Sequence, residues 1–286
     1  MSYFHLNLIL KGKLTVCCLL MLSVMPLNAQ REAKQIGDFK ESISLNEHLR
    51  GTKRTLQYRP DGDEFVCVNG KNRYTRALYG SHSPFRVETS DRPVFAFYNN
   101  GRGGNISFKV ILRDGTELAL DCTGHCESRY SAGKRTYYLT DPSWGKGELR
   151  ISVLALADMD GAIWRFSPSN MPKGAILRWQ HGGATGKRLS RNGDMGVDPA
   201  DCFELPAEAT DLVTGELPLQ KEVYLVRGEV PEGYNVRKLY QQAEAASMAL
   251  ASHLKIETPD PYLNTLGGAL VAAADGIWDG QVWLHG

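Results

Sequence analysis

Beyond its first thirty residues this chain has no stretch approaching twenty consecutive apolar side chains, so nothing there is suited to crossing a bilayer as a helix. It also lacks an excess of either charge. The 33 Lys+Arg stand against 32 Asp+Glu, a balance that draws in neither nucleic acid nor an anionic membrane surface. Low-complexity tracts are missing as well, which excludes a disordered or linker-like body. Cysteine is sparse: Cys17 and Cys18 lie in the leading apolar segment, and Cys67, Cys122, Cys126 and Cys202 follow it. Four thiols in an oxidising compartment admit three complete pairings, among which spacing does not choose.

The composition that remains is globular, with 42% hydrophobic residues. The 29 glycines and 13 prolines, scattered between short apolar runs, favour a β-rich body of one large domain, or one domain plus part of another. At the start, Lys11 and Lys13 precede an apolar run from Leu14 to Leu27, and Asn28-Ala29 supplies a small residue before Gln30. This layout predicts a signal peptide over 1–29, cleaved after Ala29, and an exported protein, periplasmic or extracellular. Val16 stands where lipoprotein processing wants a small residue, so Cys17 and Cys18 are read as part of the apolar run.

A charged leader occupies 30–54 and a β-sandwich is predicted over 55–232. Its strand signals are Leu56–Tyr58, Phe65–Val68, Val94–Tyr98, Ile106–Leu112, Glu117–Leu120, Thr136–Leu139, Leu149–Ala155, Ile163–Phe166 and Ile176–Trp179. Turns are expected at Pro60 to Asp63, at Asn69-Gly70 as the end of a hairpin, at Asp114-Gly115 and at Asp160-Gly161. The period changes near Gly233. Over 233–257 Asn235 caps a helix from Val236 to about Leu254, with Leu239, Ala243, Ala246, Leu250 and Leu254 as its apolar stripe. Pro259 breaks it. In 258–286 Asp260 caps a second helix with Pro261 at its first position, and Leu263, Leu266, Leu270, Val271 and Ala274 are its expected buried face.

The linker helix before Thr258-Pro259-Asp260-Pro261-Tyr262-Leu263-Asn264 and the tryptophan-rich loop from Asp275 to His285 resemble the N-terminal part of a six-hairpin glycosidase. The body resembles an exported bacterial group, the domain of unknown function family 4450. That resemblance runs through Tyr58-Arg59-Pro60, the run from Val68 to His82, and Glu88-Thr89-Ser90-Asp91-Arg92-Pro93. Together they imply a mainly β fold, a two-sheet sandwich followed by a linker helix and the start of an α/α toroid. They further imply carbohydrate processing without a cofactor. A full toroid takes on the order of 200 to 350 residues, so the catalytic carboxylate pair is expected outside this sequence and none is assigned.

Candidate chemistry follows from residue types. Glycoside hydrolysis needs two carboxyl groups across the scissile bond; Asp275 and Asp279 are four apart, but Gly276 and Gly280 argue for a helix end and a solvated loop. Trp278 and Trp283 offer indole faces to a sugar ring, with Asp279, Gln281 and His285 near enough in sequence to bind its hydroxyls. Core packing competes for both indoles. Cys122-Thr123-Gly124-His125-Cys126 has too few ligands for structural zinc, and Asp158 to Gly161 reads as a strand turn, since the next residues are apolar where calcium ligands would stand. His181 to Arg188 lacks the hydroxyl and leading glycine of a phosphate loop. Asn72 to Arg76 mixes arginines with an aromatic, suiting oligosaccharide or carboxylate contacts, or else an exposed strand edge. Ser81 and His82 form no triad. No metal site is assigned.

The function expected is therefore the N-terminal portion of an exported glycoside hydrolase acting on polysaccharide or oligosaccharide, catalytically incomplete by itself. A non-catalytic carbohydrate-binding sandwich and a structural sandwich that positions a catalytic domain are the alternatives.

Overall fold

A computed structural model describes residues 57–80, 82–83, 85–99, 102–188, 212–278 and 280–283. The expected signal peptide, the whole of the expected leader, Ser81, Cys202, Asp279 and His285 lie outside them.

The chain enters through a hairpin, β1 (Arg59–Asp61) and β2 (Glu64–Val68), in which Asp61 faces Glu64 across Gly62-Asp63. Gly62 takes φ 59° there, a backbone state open to glycine at no steric cost. Among the described residues the first strand thus begins at Arg59, just after Tyr58 of the expected run, whose Leu56 lies outside them. Pro60 is tolerated because β1 is the edge strand of its sheet, where a missing donor breaks no inner ladder.

One antiparallel sheet runs β1, β2, β8 (His125–Ser131), β9 (Lys134–Thr140), β10 (Glu148–Ala155), β11 (Gly161–Ser169), β14 (Val223–Gly228). The other runs β13 (Val213–Pro218), β12 (Ile176–Arg188), β6 (Arg102–Ile111), β5 (Phe95–Asn99), β4 (Arg86–Thr89), β3 (Arg76–Leu78), with β7 (Glu117–Ala119) beside β6. The two-sheet reading therefore holds, and the phosphate-loop look-alike at His181 to Arg188 is strand. Asn69-Gly70 is different from its expectation: it makes no hairpin, and carries the chain from β2 to β3 in the opposite sheet. Asn69 bonds both backbone groups of Cys126, its N–H donating to the carbonyl (2.8 Å) and its Oδ1 accepting from the amide (2.9 Å). That anchoring, which local sequence does not announce, decides the crossover.

Between the sheets, alternate residues bury their side chains, as a half-covered strand requires. Trp164 on β11 is fully buried, with the rings of Phe95, Phe97 and Phe108 at 5.6, 5.7 and 6.0 Å. The inward slots of β9 are Arg135, Tyr137 and Leu139, so a guanidinium enters the core. Its Nη2 lies 3.5 Å from Asp91 Oδ1, both side chains 0% exposed. Asp91 also accepts from the Tyr58 hydroxyl, the Asn72 N–H (2.9 Å) and the Thr75 hydroxyl (3.4 Å). Gly70 lies against the same carboxylate: a Cβ there would come within 2.4 Å of Oδ2. The segments quoted above for the body's resemblance, 58–60, 68–82 and 88–93, thus converge on one buried ion pair.

Helix α1 (Val236–Ala251) starts as predicted, Asn235 Oδ1 accepting from Lys238 N–H at 3.0 Å. It covers the outer face of the first sheet, where Leu239, Tyr240 and Ala243 pack on Leu154, Leu156 and Ile163. Helix α2 (Pro261–Gly276) is capped by Asp260, with Pro261 at its first position. Its buried face differs from the expectation. Its buried residues are Thr265, Gly267 and Ala272; of the expected face Leu266 packs, partly buried, against the sandwich core, while Leu263 and Leu270 remain 46% and 50% exposed. The reason is close approach of backbones: a Cβ on Gly267 would meet the Leu254 carbonyl at 2.7 Å, and one on Gly268 would press on Ala132 and Ala251. Thr265 Oγ1 ties the helix to the first hairpin through the Gly62 carbonyl (2.9 Å). Leu254 lies beyond the end of α1 and is exposed.

Candidate functional site at the junction of helices and sandwich

Small side chains on α1 and α2 leave a cavity of about 520 Å³ between the helices, the β8–β9 turn and the loop after β3. Ala243, Ser247, Ala269 and Ala273 form its helical wall, with Ala132 and Gly133 opposite. Ser247 holds that wall in register by donating to the Ala132 carbonyl (2.5 Å). Gly133, at φ 74°, brings its backbone so near Ser247 Oγ that a Cβ would stand 2.8 Å away.

The rim is polar. His82 Nε2 lies 3.2 Å from Asp275 Oδ1, both half-exposed. The Arg76 guanidinium stands 5.7 Å from the Tyr130 ring and 5.8 Å from that of Tyr58. Burial pushes the phenols of Tyr79 and Tyr130 above their ordinary value, aided at Tyr79 by the neighbouring Glu88 carboxylate; both hydroxyls remain protonated near neutrality. Tyr79 also sets the end of α2. A Cβ on Gly276 would fall 2.2 Å from its ring carbons, so the helix terminus lies directly on the phenol face. Asp275 is the sole carboxylate among the described residues lining the cavity. The lining therefore brings no two described carboxylates together, but it does offer an apolar floor with polar groups at its edge, the layout of a site for a molecule with one apolar face.

One turn further, Trp278 and Trp283 form an antiparallel bridge with ring centroids 4.7 Å apart and planes inclined at 51°. Trp283 Nε1–H donates to the Ala274 carbonyl (3.0 Å), and 67% of the residue is exposed. Of the predicted contact residues, the structure brings these two together, with Trp283 exposed among the described residues. Gln281 is exposed in the same loop; Asp279 and His285 lie outside the described residues. Because α2 stops at Gly276, no helical face carries Asp275 on towards Asp279.

The other candidates resolve structurally. Cys126 is buried and its thiol pushed up to about 12, chiefly by burial, while Cys122 is exposed on a 3-10 turn. Among the described residues, Cys67, Cys122 and Cys126 form no disulfide. Among the described residues no three His, Cys, Asp or Glu converge as metal ligands would. Asp160 accepts from the Ser83 hydroxyl, and its carbonyl from Glu229 N–H (2.7 Å), so the calcium-like segment is a braced turn. Sequence reasoning missed Tyr79 and the alanine wall; the available signal was Ala243 and Ala246 on one helix recurring as Ala269, Ala272 and Ala273 on the next.

Residues 100–229 match the family model described as Domain of unknown function (DUF4450). The match supports that family for the stretch from β6 to β14, which supplies strands to both sheets. The quoted segments around Asp91 lie before it, and the tryptophan loop lies after it. No curated protein matches the chain.

Proposed function

We propose that this chain forms the sandwich and first helices of an exported glycoside hydrolase, and that its tryptophan loop and the adjoining cavity contact polysaccharide. The observation that carries this reading is the indole of Trp283: pinned at its N–H, backed by Trp278 and open to solvent. A ring so held loses little freedom when a sugar stacks on it, and His82 and Asp275 supply hydrogen-bonding groups near the cavity mouth. The half-exposed Leu263 and Leu270 fit a helix that packs against further helices of a toroid. The signal-like start supports export.

Incubation with a panel of polysaccharides, reading both the heat of binding and the reducing ends released, tests the reading. The lining brings no two described carboxylates together, so no sugar release is expected; binding that weakens in Trp283→Ala supports the reading, binding indifferent to that change favours a carbohydrate-binding sandwich, and absence of binding across the panel removes both.

A further inference from the structure

A second concavity lies on the outer face of the other sheet, away from the tryptophans in sequence and lining. On β6 the core-facing Ile106, Phe108 and Val110 alternate with Asn105, Ser107 and Lys109, and the latter three border a groove of about 480 Å³. Its far wall is the crossover from β2 to β3. Among the described residues, Lys71, Arg73, Arg92 and Lys109 line the groove, with Asp121 as the carboxylate beside them.

The wall is rigid. Asn72 and Asp91 exchange backbone contacts: Asp91 N–H donates to the Asn72 carbonyl and Asn72 N–H to Asp91 Oδ2, each at 2.9 Å. Tyr74 N–H donates to Ser90 Oγ (2.9 Å) and Thr75 N–H to the Thr89 carbonyl (2.7 Å). Within it Tyr74 holds φ 52°, a left-handed state that a bulky residue occupies at a conformational cost. Its hydroxyl accepts from Asn105 Nδ2 (3.4 Å), and its ring carries the Arg73 guanidinium at 5.1 Å. Arg92 is pinned by the Asp121 and Thr123 carbonyls (3.0 and 2.8 Å). Lys109 is held by a half-exposed ion pair with Glu117 at 3.4 Å, the weak kind that an incoming carboxylate can displace.

We propose that this groove binds an acidic oligosaccharide, the ligand's carboxylate or sulfate ester lying among Lys71, Arg73 and Lys109 and its hydroxyls on Asn72, Asn105 and Ser107. The assignment rests on the carbohydrate reading above and deepens it by naming a substrate class. Fixed guanidinium groups suit planar oxyanions, and the volume falls within the range of small-molecule sites, ~300–1,000 Å³.

Calorimetric titration of the full chain with trigalacturonate, a sulfated trisaccharide, the neutral trisaccharide maltotriose and a short single-stranded oligonucleotide tests it. At least one acidic sugar binds, weakening about tenfold or more in Lys71→Ala/Arg73→Ala and in Lys109→Ala and remaining unchanged in Trp283→Ala. The two acidic sugars distinguish carboxylate from sulfate recognition. The substituted side chains are exposed, and circular dichroism confirms that each variant is folded. No binding of either acidic sugar, equal binding of maltotriose or the oligonucleotide, or loss in Trp283→Ala alone overturns the assignment. Failure of the carbohydrate reading itself shows separately, as no neutral glycan on the panel losing affinity in Trp283→Ala.

Discussion

At the scale of single residues, the pair Asp91–Arg135 organises the sandwich interior. Asp91 gathers a phenol, a hydroxyl, a backbone amide and a guanidinium. Arg135 adds a bond to Ser128 Oγ (3.0 Å), while its Nε and Nη1 have no hydrogen-bond partner among the described residues. Removing one member leaves the other charge buried, so Asp91→Ala is expected to cost about 3–5 kcal/mol in urea unfolding; a cost below about 1 kcal/mol would show that the pair is dispensable. Glu88 gives a pH dependence. Burial raises its pKa above 4.5 despite the Arg86 guanidinium at 2.7 Å, so the folded chain holds the proton more tightly than the unfolded one. The resulting stabilisation is complete below 4.5 and is lost as pH rises through the folded value. Stability curves against pH should therefore fall more steeply above that point in the parent chain than in Glu88→Gln; parallel curves would refute the assignment. Neither role was legible beforehand, because charged side chains ordinarily lie at the surface. Arg135 occupies an inward slot between apolar neighbours, and spacing alone does not reveal which partner waits across the core.

At the scale of elements, both helix starts were legible because capping is local: Asn235 and Asp260-Pro261 act within one turn. The strands β3, β4, β8, β13 and β14 were not singled out, since their polar-rich sequences take strand form from packing and pairing rather than from local propensity. The docking face of α2 was misplaced for a related reason. Leucine spacing reports hydrophobicity and does place Leu266 against the core, whereas the closest approaches of this helix run through its glycines. Gly276 makes the point testable. An alanine normally favours a helix by about 1 kcal/mol over glycine, yet here its methyl would overlap the Tyr79 ring. Gly276→Ala is expected to destabilise by about 1–3 kcal/mol, with faster amide exchange across α2, and Tyr79→Ala should relieve part of that loss. A Gly276→Ala chain with slower exchange in α2 would contradict the packing described.

At the scale of the molecule, a sandwich with one helix on its outer face and a second at its end places the cavity and the tryptophan pair side by side. Two-sheet architecture was visible in the spacing of apolar runs and turns. The cavity was not, because it arises from what small side chains fail to fill, and no motif marks an absence of volume. The pairing of Trp278 with Trp283 was foreshadowed by their shared loop, although only the fold shows that one indole backs the other. The central claim is that Trp283 is a sugar-stacking platform. Its most direct test is calorimetric titration of Trp283→Ala with whichever neutral oligosaccharide the parent chain binds. The account predicts affinity lower by about tenfold, the worth of one well-held aromatic contact, with the fold intact by near-ultraviolet circular dichroism; an unchanged affinity would contradict it.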